Sequence, residues 1–168
     1  MKRNLTTLKK YDMIAHTDGS ALGFGENSPH PCRAAAAAIL ECPEEIVRVG
    51  KYLGCVTNNV AELEAIRASL EFALDRDYTK VLVVTDSRYC EGLLTKVSGC
   101  WEFSPKKNIR LVLRVRDLVA DLEKFTVLRV KGHTKGNVGN EAADQLAKEC
   151  RKDRSNHFSR CDDAGECW

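Results

Sequence analysis

The chain has 168 residues, a hydrophobic fraction of 43% and a formal net charge of +2. This length predicts one domain with a core large enough to fold without disulfides or structural metals. The small charge does not indicate a nucleic-acid-binding protein by itself, and no segment approaches the roughly 20 apolar residues of a membrane-spanning helix. We therefore expect no membrane partner.

The first half of the chain predicts a basic arm, three strands and a helix. Residues 1–10 carry four basic residues and no acid, and they lack the apolar stretch of a signal peptide, so we expect a mobile arm. A loop rich in glycine and proline spans 19–33, and apolar periodicity at spacings of three and four predicts a helix over 58–74. The predicted strands cover residues 11–17, 34–40 and 45–53.

The second half alternates strands and helices. The apolar run at 80–85 is typical of a buried parallel strand, and residues 125–130 read as the last strand. Residues 152–168 show no periodic pattern, which predicts a disordered tail behind a domain of residues 11–151. The order of elements is typical of a mixed α/β domain with helices covering a sheet. The predicted helices cover residues 87–96, 108–124 and 137–150.

Eight cysteines are present, and none forms a Cys-x-x-Cys pair. In the absence of a signal peptide, this pattern favours a reduced protein whose cysteines are small core residues rather than disulfides or zinc ligands. We therefore expect a cytoplasmic or nucleoid-associated protein.

Four acidic residues lie in distinctive local settings. Asp18 stands in Thr-Asp-Gly-Ser, Glu62 follows Thr-Asn-Asn-Val-Ala, Asp86 directly follows an apolar strand, and Asp144 ends Asn-Glu-Ala-Ala-Asp. A fold that gathers these carboxylates would raise their pKa values by mutual repulsion, and a divalent cation would relieve it. Carboxylate oxygens are hard ligands that suit Mg²⁺ or Mn²⁺.

These motifs, in this order, resemble type I ribonuclease H over residues 12–151. The matching segments are TDGS at 17–20, TNNVAEL at 57–63, TDS at 85–87, and the stretch from VKGH to NEAADQLA within 130–147. The resemblance implies a mixed five-stranded sheet, with three antiparallel strands followed by parallel ones, flanked by helices. It also implies that the alanine run at 34–38, which would favour a helix on propensity alone, forms a strand.

The resemblance implies an endonuclease that hydrolyses the RNA strand of RNA–DNA hybrids and leaves 5′-phosphate and 3′-hydroxyl ends. It implies that two Mg²⁺ ions, replaceable by Mn²⁺, are held by Asp18, Glu62, Asp86 and Asp144, with Asp18 between both ions. It further implies that His133, in a glycine-flanked loop, assists proton transfer and product departure, a role that suits the pKa of histidine.

Hybrid recognition is assigned to a second set of residues. Asn58 and Asn59 offer both donors and acceptors for a 2′-hydroxyl or a minor-groove edge, although capping of the helix is an alternative role. Arg88 stands where the family often has a residue that contacts the hybrid. The chain departs from the family's pocket for a DNA-strand phosphate at Phe24 and Val60, so that of this pocket only Thr57 remains.

The segment 90–108 is too short for the basic helical handle of longer family members, which indicates the handle-less branch. Compensating charge is expected from Lys107, Arg110 and Arg114, which follow helical spacing, with Lys106 and Arg116 nearby; a solvated helix face is the alternative.

Two other functions remain open. Integrases, transposases and junction resolvases share similar acidic sites, and a catalytically inactive hybrid-binding module would keep the same fold. For each interpretation we expect a monomer without an obligate protein partner.

Overall fold

The computed structural model describes residues 4–23, 30–131 and 137–162, and it contains one mixed sheet of six strands with helices on both faces. The strands are β1 (Met13–Leu22), β2 (Arg33–Glu41), β3 (Ile46–Gly54), β4 (Lys80–Thr85), β5 (Lys96–Val97), β6 (Cys100–Trp101), β7 (Lys124–Arg129) and β8 (His157–Cys161). The helices are α1 (Leu5–Leu8), α2 (Asn58–Asp75), α3 (Arg88–Leu94), α4 (Ile109–Ala120) and α5 (Val138–Asp153).

The sheet has the order β7-β4-β1-β2-β3-β8, and β5 and β6 form a separate two-stranded ribbon. Strands β1, β2, β3 and β8 pair antiparallel, whereas β4 pairs parallel to both β1 and β7. The predicted ribonuclease H-like arrangement of antiparallel and then parallel strands is confirmed, with one more strand in the sheet than the five expected.

The alanine run is a strand, as the family resemblance implied. All five alanines of 34–38 lie in β2 and are at most 2% exposed. Ala38 belongs to the core cluster beneath α2, and Ala35 and Ala37 belong to the cluster beneath α5. Small side chains on both faces let two helices approach the same strand closely, so tertiary packing overrides the weak strand propensity of alanine.

The C-terminal segment is not a disordered tail in the part that the structure describes. Helix α5 continues to Asp153, and β8 then extends the sheet by pairing with β3. Arg160 forms an ion pair with Glu45, which also lies 3.3 Å from the guanidinium of Arg76. The segment was missed because β8 gains its order from the edge of β3 and has no apolar periodicity of its own. The N-terminal arm likewise contains α1 rather than being mobile throughout its described residues.

The expectation of reduced cysteines is wrong for one pair. Cys32 and Cys55 form a disulfide between residues that flank the open ends of β2 and β3, with their Cα atoms 5.0 Å apart. Cys42, Cys90 and Cys150 are buried, as expected of small core residues. The antiparallel pairing of β2 with β3 brings together two cysteines that are 23 residues apart, a proximity that no local motif announces.

In the described ranges, no helix is both long and apolar enough to span a bilayer.

Candidate functional site

Three predicted acids converge at one edge of the sheet. Oxygens of Asp18, Glu62 and Asp86 all lie within 4.8 Å of one another. Asp18 lies within β1 and Asp86 directly follows β4; these strands are parallel neighbours, with His16 paired to Val84, so both acids reach the same level. Helix α2 brings Glu62 to the same point.

The close approach of α2 requires the glycine that follows Asp18. A Cβ atom on Gly19 would lie 2.6 Å from the backbone nitrogen of Glu62 and 2.9 Å from the side chain of Ala61. A side chain at this position would therefore push Glu62 away from Asp18. The backbone N–H of Gly19 also donates a hydrogen bond of 2.8 Å to Asp18 Oδ1, which fixes the orientation of the carboxylate.

The local environment disfavours negative charge in the absence of a cation. Asp18 is 6% exposed and Glu62 is 5% exposed. Burial, followed by repulsion from Asp86 and Asp144, raises the pKa of Asp18 to about 8. Burial, followed by repulsion from Asp18 and Asp86, raises the pKa of Glu62 to about 9. Within the described ranges, no ion pair links a lysine or arginine to these three carboxylates, so a bound cation would relieve their repulsion.

Asp144 lies beside the three-carboxylate cluster rather than within it. It projects from α5, and its interaction with Asp18 contributes to the raised pKa of that residue. Its own carboxylate accepts a hydrogen bond of 2.6 Å from Lys148, one turn further along the helix. The structure thus brings the four predicted acids to one site, but one of them is already paired with a lysine.

These acids line a polar cavity of about 200 Å³. Two further residues of α5, Asn140 and Glu141, reach this cavity, and sequence reasoning gave them no role. The Asn-Glu-Ala-Ala-Asp motif contained both and was the signal that could have identified them. The complete lining comprises Asp18, Gly19, Asn58, Glu62, Asp86, Asn140, Glu141 and Asp144.

The predicted hybrid-reading residues stand at the start of α2, beside the acids. Thr57 caps the helix by accepting a hydrogen bond of 3.3 Å from the N–H of Val60. Asn58 donates a hydrogen bond of 3.1 Å to Glu62 Oε1, so it orients one acid of the cluster. Asn58 and Asn59 are both exposed. Capping, the alternative role for this region, is carried out by Thr57.

The predicted basic face is only partly formed. Arg88, at the start of α3, is exposed, as are Lys107 and Arg110. Lys107 does not lie on α4, because the helix begins at Ile109 after Asn108 adopts a left-handed conformation with φ 55°. The expected helical spacing of Lys107 with the two arginines is therefore wrong.

The remaining arginines of α4 have partners within the protein. Arg114 is more than half exposed and lies 3.7 Å from Glu71 on α2. Arg116 is buried, and its guanidinium donates to the carbonyls of Leu93 at 2.7 Å and Phe103 at 2.6 Å. It also packs 4.5 Å from the ring centre of Trp101. Arg116 thus holds the segment between α3 and α4 in place and contributes no charge to a binding face.

His133 and Phe24 lie outside the described residues.

Comparison with known proteins identifies relatives along most of the chain. A family model described as RNase H matches residues 10–152. The chain is 29% identical to ribonuclease HI of Halobacterium salinarum over 83% of its own length and 64% of that protein. It is 32% identical to human ribonuclease H1 over 83% of its length and 50% of that protein. It is 31% identical to ribonuclease H of Francisella philomiragia, with 84% and 91% covered. The chain thus spans about half to two thirds of the first two relatives.

Solved structures show the same fold. The crystal structure of RNase H1 from Halobacterium salinarum superposes with a TM-score of 0.65 at 28% identity, covering 84% of this chain and 98% of that one. The N-terminal RNase H domain of a Mycobacterium tuberculosis protein gives a TM-score of 0.67 at 20% identity, covering 85% and 95%, and this likeness concerns the fold alone.

Proposed function

Since this chain belongs to the ribonuclease H family, we propose that it is an endonuclease that hydrolyses the RNA strand of RNA–DNA hybrids. The observation that carries the proposal is the cluster of Asp18, Glu62 and Asp86, whose oxygens lie within 4.8 Å of one another. The products are a 5′-phosphate and a 3′-hydroxyl.

The residues present fit a divalent cation. The donors are hard carboxylate oxygens, they have no lysine or arginine partner in the described part of the chain, and Glu62 Oε2 is buried without a hydrogen-bond partner there. We assign two Mg²⁺ ions to this site, with Mn²⁺ able to replace them. When bound, such a pair activates water, neutralises phosphate charge and stabilises the leaving oxygen.

The four acids have unequal positions in this proposal. Asp18 is the most enclosed by the others, since it interacts with Asp86 and Asp144 and lies next to Glu62. Asp144 completes the set from α5, and Lys148 competes for its carboxylate until a cation is present. Asn58 keeps Glu62 oriented through its amide.

Recognition of the hybrid follows from the start of α2. Asn59 and the free face of Asn58 are exposed beside the acids, where an amide can read a 2′-hydroxyl or a minor-groove base edge. Thr57, Arg88, Lys107, Arg110 and Arg114 are assigned to the phosphate backbone, which attracts basic side chains without reading sequence. His133 is assigned to proton transfer and product departure.

The chain is proposed to act as a monomer without an obligate protein partner. A cytoplasmic location was expected from reduced cysteines, but disulfides such as Cys32–Cys55 are rare in reducing compartments. The location and the redox state of this pair should therefore be determined together.

The test is a cleavage assay with Mg²⁺ on three end-labelled duplexes: an RNA–DNA hybrid, double-stranded RNA and double-stranded DNA. We expect cleavage of the hybrid alone, in its RNA strand, and none by the Asp86→Asn variant. Cleavage of double-stranded DNA would favour an integrase-like or resolvase-like activity. Hybrid binding without cleavage of any duplex would show a catalytically inactive binding module.

A further inference from the structure

A buried amide faces the acidic cavity without a partner. Asn140 is 5% exposed, it lines the cavity together with Asp18, Glu62 and Asp86, and its Oδ1 has no hydrogen-bond partner in the described part of the chain. Buried polar atoms are nearly always paired because an unpaired one loses its hydration without compensation. A partner that binds in the cavity would supply the missing interaction.

The backbone beneath Asn140 is held firmly against β1. A Cβ atom on Gly139 would lie 2.4 Å from ring atoms of His16, so only glycine allows α5 to approach this closely. His16 is itself fixed by a contact of 2.7 Å between its Nε2 and Glu41 Oε1, and Glu41 also accepts a hydrogen bond of 2.6 Å from the N–H of Asn4. Asn140, the next residue on the helix, is thereby seated near Asp18, which follows His16 by two positions.

The chemistry of the cavity determines which partner suits an amide oxygen. Four carboxylates already surround the site, and a further negative charge would add to their repulsion. An uncharged oxygen can add a hard ligand without this cost, and amide oxygens are accepted ligands of hard divalent cations. Asn140 also lies in the first turn of α5, a 16-residue helix whose N–H groups favour nearby negative charge and so help to hold the acids ionised around a cation.

We propose that Asn140 supplies an uncharged oxygen ligand to the divalent-cation site formed by the carboxylates. This proposal rests on the function proposed above, since it assigns one more residue to the same cation site.

The test measures cation affinity without substrate. Mn²⁺ binding to the full chain is titrated by water-proton relaxation for the parent, Asn140→Ala and Asn140→Asp, and melting temperatures are recorded without cation. Asn137→Ala is the matched control, since Asn137 precedes the same helix, makes no capping hydrogen bond through its side chain and lines a different cavity. We expect Asn140→Ala to weaken Mn²⁺ binding about tenfold. We expect Asn140→Asp to bind Mn²⁺ at least as tightly as the parent but to melt at a lower temperature without cation, and the control to match the parent.

The outcomes separate this proposal from the proposed function. Unchanged Mn²⁺ affinity in Asn140→Ala, with binding and hybrid cleavage intact in the parent, would refute the role of Asn140 alone. A parent that neither binds Mn²⁺ nor cleaves the hybrid would refute both. If Asn140→Ala does not fold, the aspartate variant decides: tighter Mn²⁺ binding than in the parent supports the proposal, and equal or weaker binding contradicts it.

Discussion

The substitution Asp86→Asn separates the catalytic role of the acidic cluster from its cost to folding. It keeps the shape of the side chain and removes one charge from a cluster in which the oxygens lie within 4.8 Å of one another. Two unit charges at this distance, in an environment of effective dielectric constant about 20, repel by roughly 3.5 kcal/mol. The cation-free variant should therefore be at least as stable as the parent.

The size of this gain should depend on pH. The folded pKa values of Asp18 and Glu62 are raised to about 8 and 9, from ordinary values of 3.8 and 4.5. The parent therefore has its full stability below the ordinary pKa values of these groups and loses stability as the pH rises to about 9. Asp86 raises both pKa values, so its removal should diminish this loss. We expect a small gain at pH 7 and a gain of about 1–3 kcal/mol at pH 9, measured by urea unfolding in EDTA.

Turnover should respond in the opposite direction. An amide oxygen is a weaker ligand than a carboxylate, and cation stabilisation of the transition state contributes several kcal/mol. A loss of about 4 kcal/mol would slow hybrid cleavage roughly a thousandfold at saturating Mg²⁺. Asp117→Asn, on the exposed side of α4, is the matched control and should change neither quantity. Near-parent turnover in Asp86→Asn, or a loss of cation-free stability at pH 9, would refute this reasoning.

Three further results are expected. Arg110→Ala with Arg114→Ala should raise KM and lower the salt dependence of binding by up to about one unit per phosphate contact, with kcat unchanged; an unaltered salt slope would show that this face does not contact the hybrid. His133→Ala should slow turnover far less than Asp86→Asn, because proton transfer by one side chain contributes less than a cation ligand, and the reverse ranking in the same assay would overturn both roles. Ending the chain at residue 154 should lower the melting temperature by about 5 °C through loss of β8 and its Arg160–Glu45 pair, while cleavage persists because β8 lies at the sheet edge farthest from β4 and β7. Hydrogen bonding from Arg160 lowers the pKa of Glu45, so the stability contributed by this pair should be present above the ordinary pKa of 4.5 and should disappear as the pH falls through the lowered value; an acid unfolding curve unaffected by Arg160→Ala would contradict this assignment.

Most of the fold was predictable because its signals are local. The apolar run of β4 and the periodicity of α2 each lie within one segment, and the order of segments specifies a mixed sheet covered by helices. The observed helix ends differ where a backbone conformation intervenes: α4 begins only after the left-handed Asn108, and the helix predicted over 87–96 ends at Leu94, before the ribbon of β5 and β6. Such changes depend on contacts with neighbouring segments and leave little trace in periodicity.

The sequence by itself determined which acids belong to the site, because each stands in a recognisable motif and the order of the motifs is specific. Only the tertiary structure decided how these residues interact: three acids form a tight cluster, and Asp144 lies beside it, paired with Lys148. The strand β8, the Cys32–Cys55 disulfide and the burial of Arg116 were likewise decided by contacts between distant segments. Local patterns encode the periodicity and the ends of single elements. Pairing between elements far apart in the chain depends on the packing of the whole core, and the charge, burial and partners of each site residue depend on that packing.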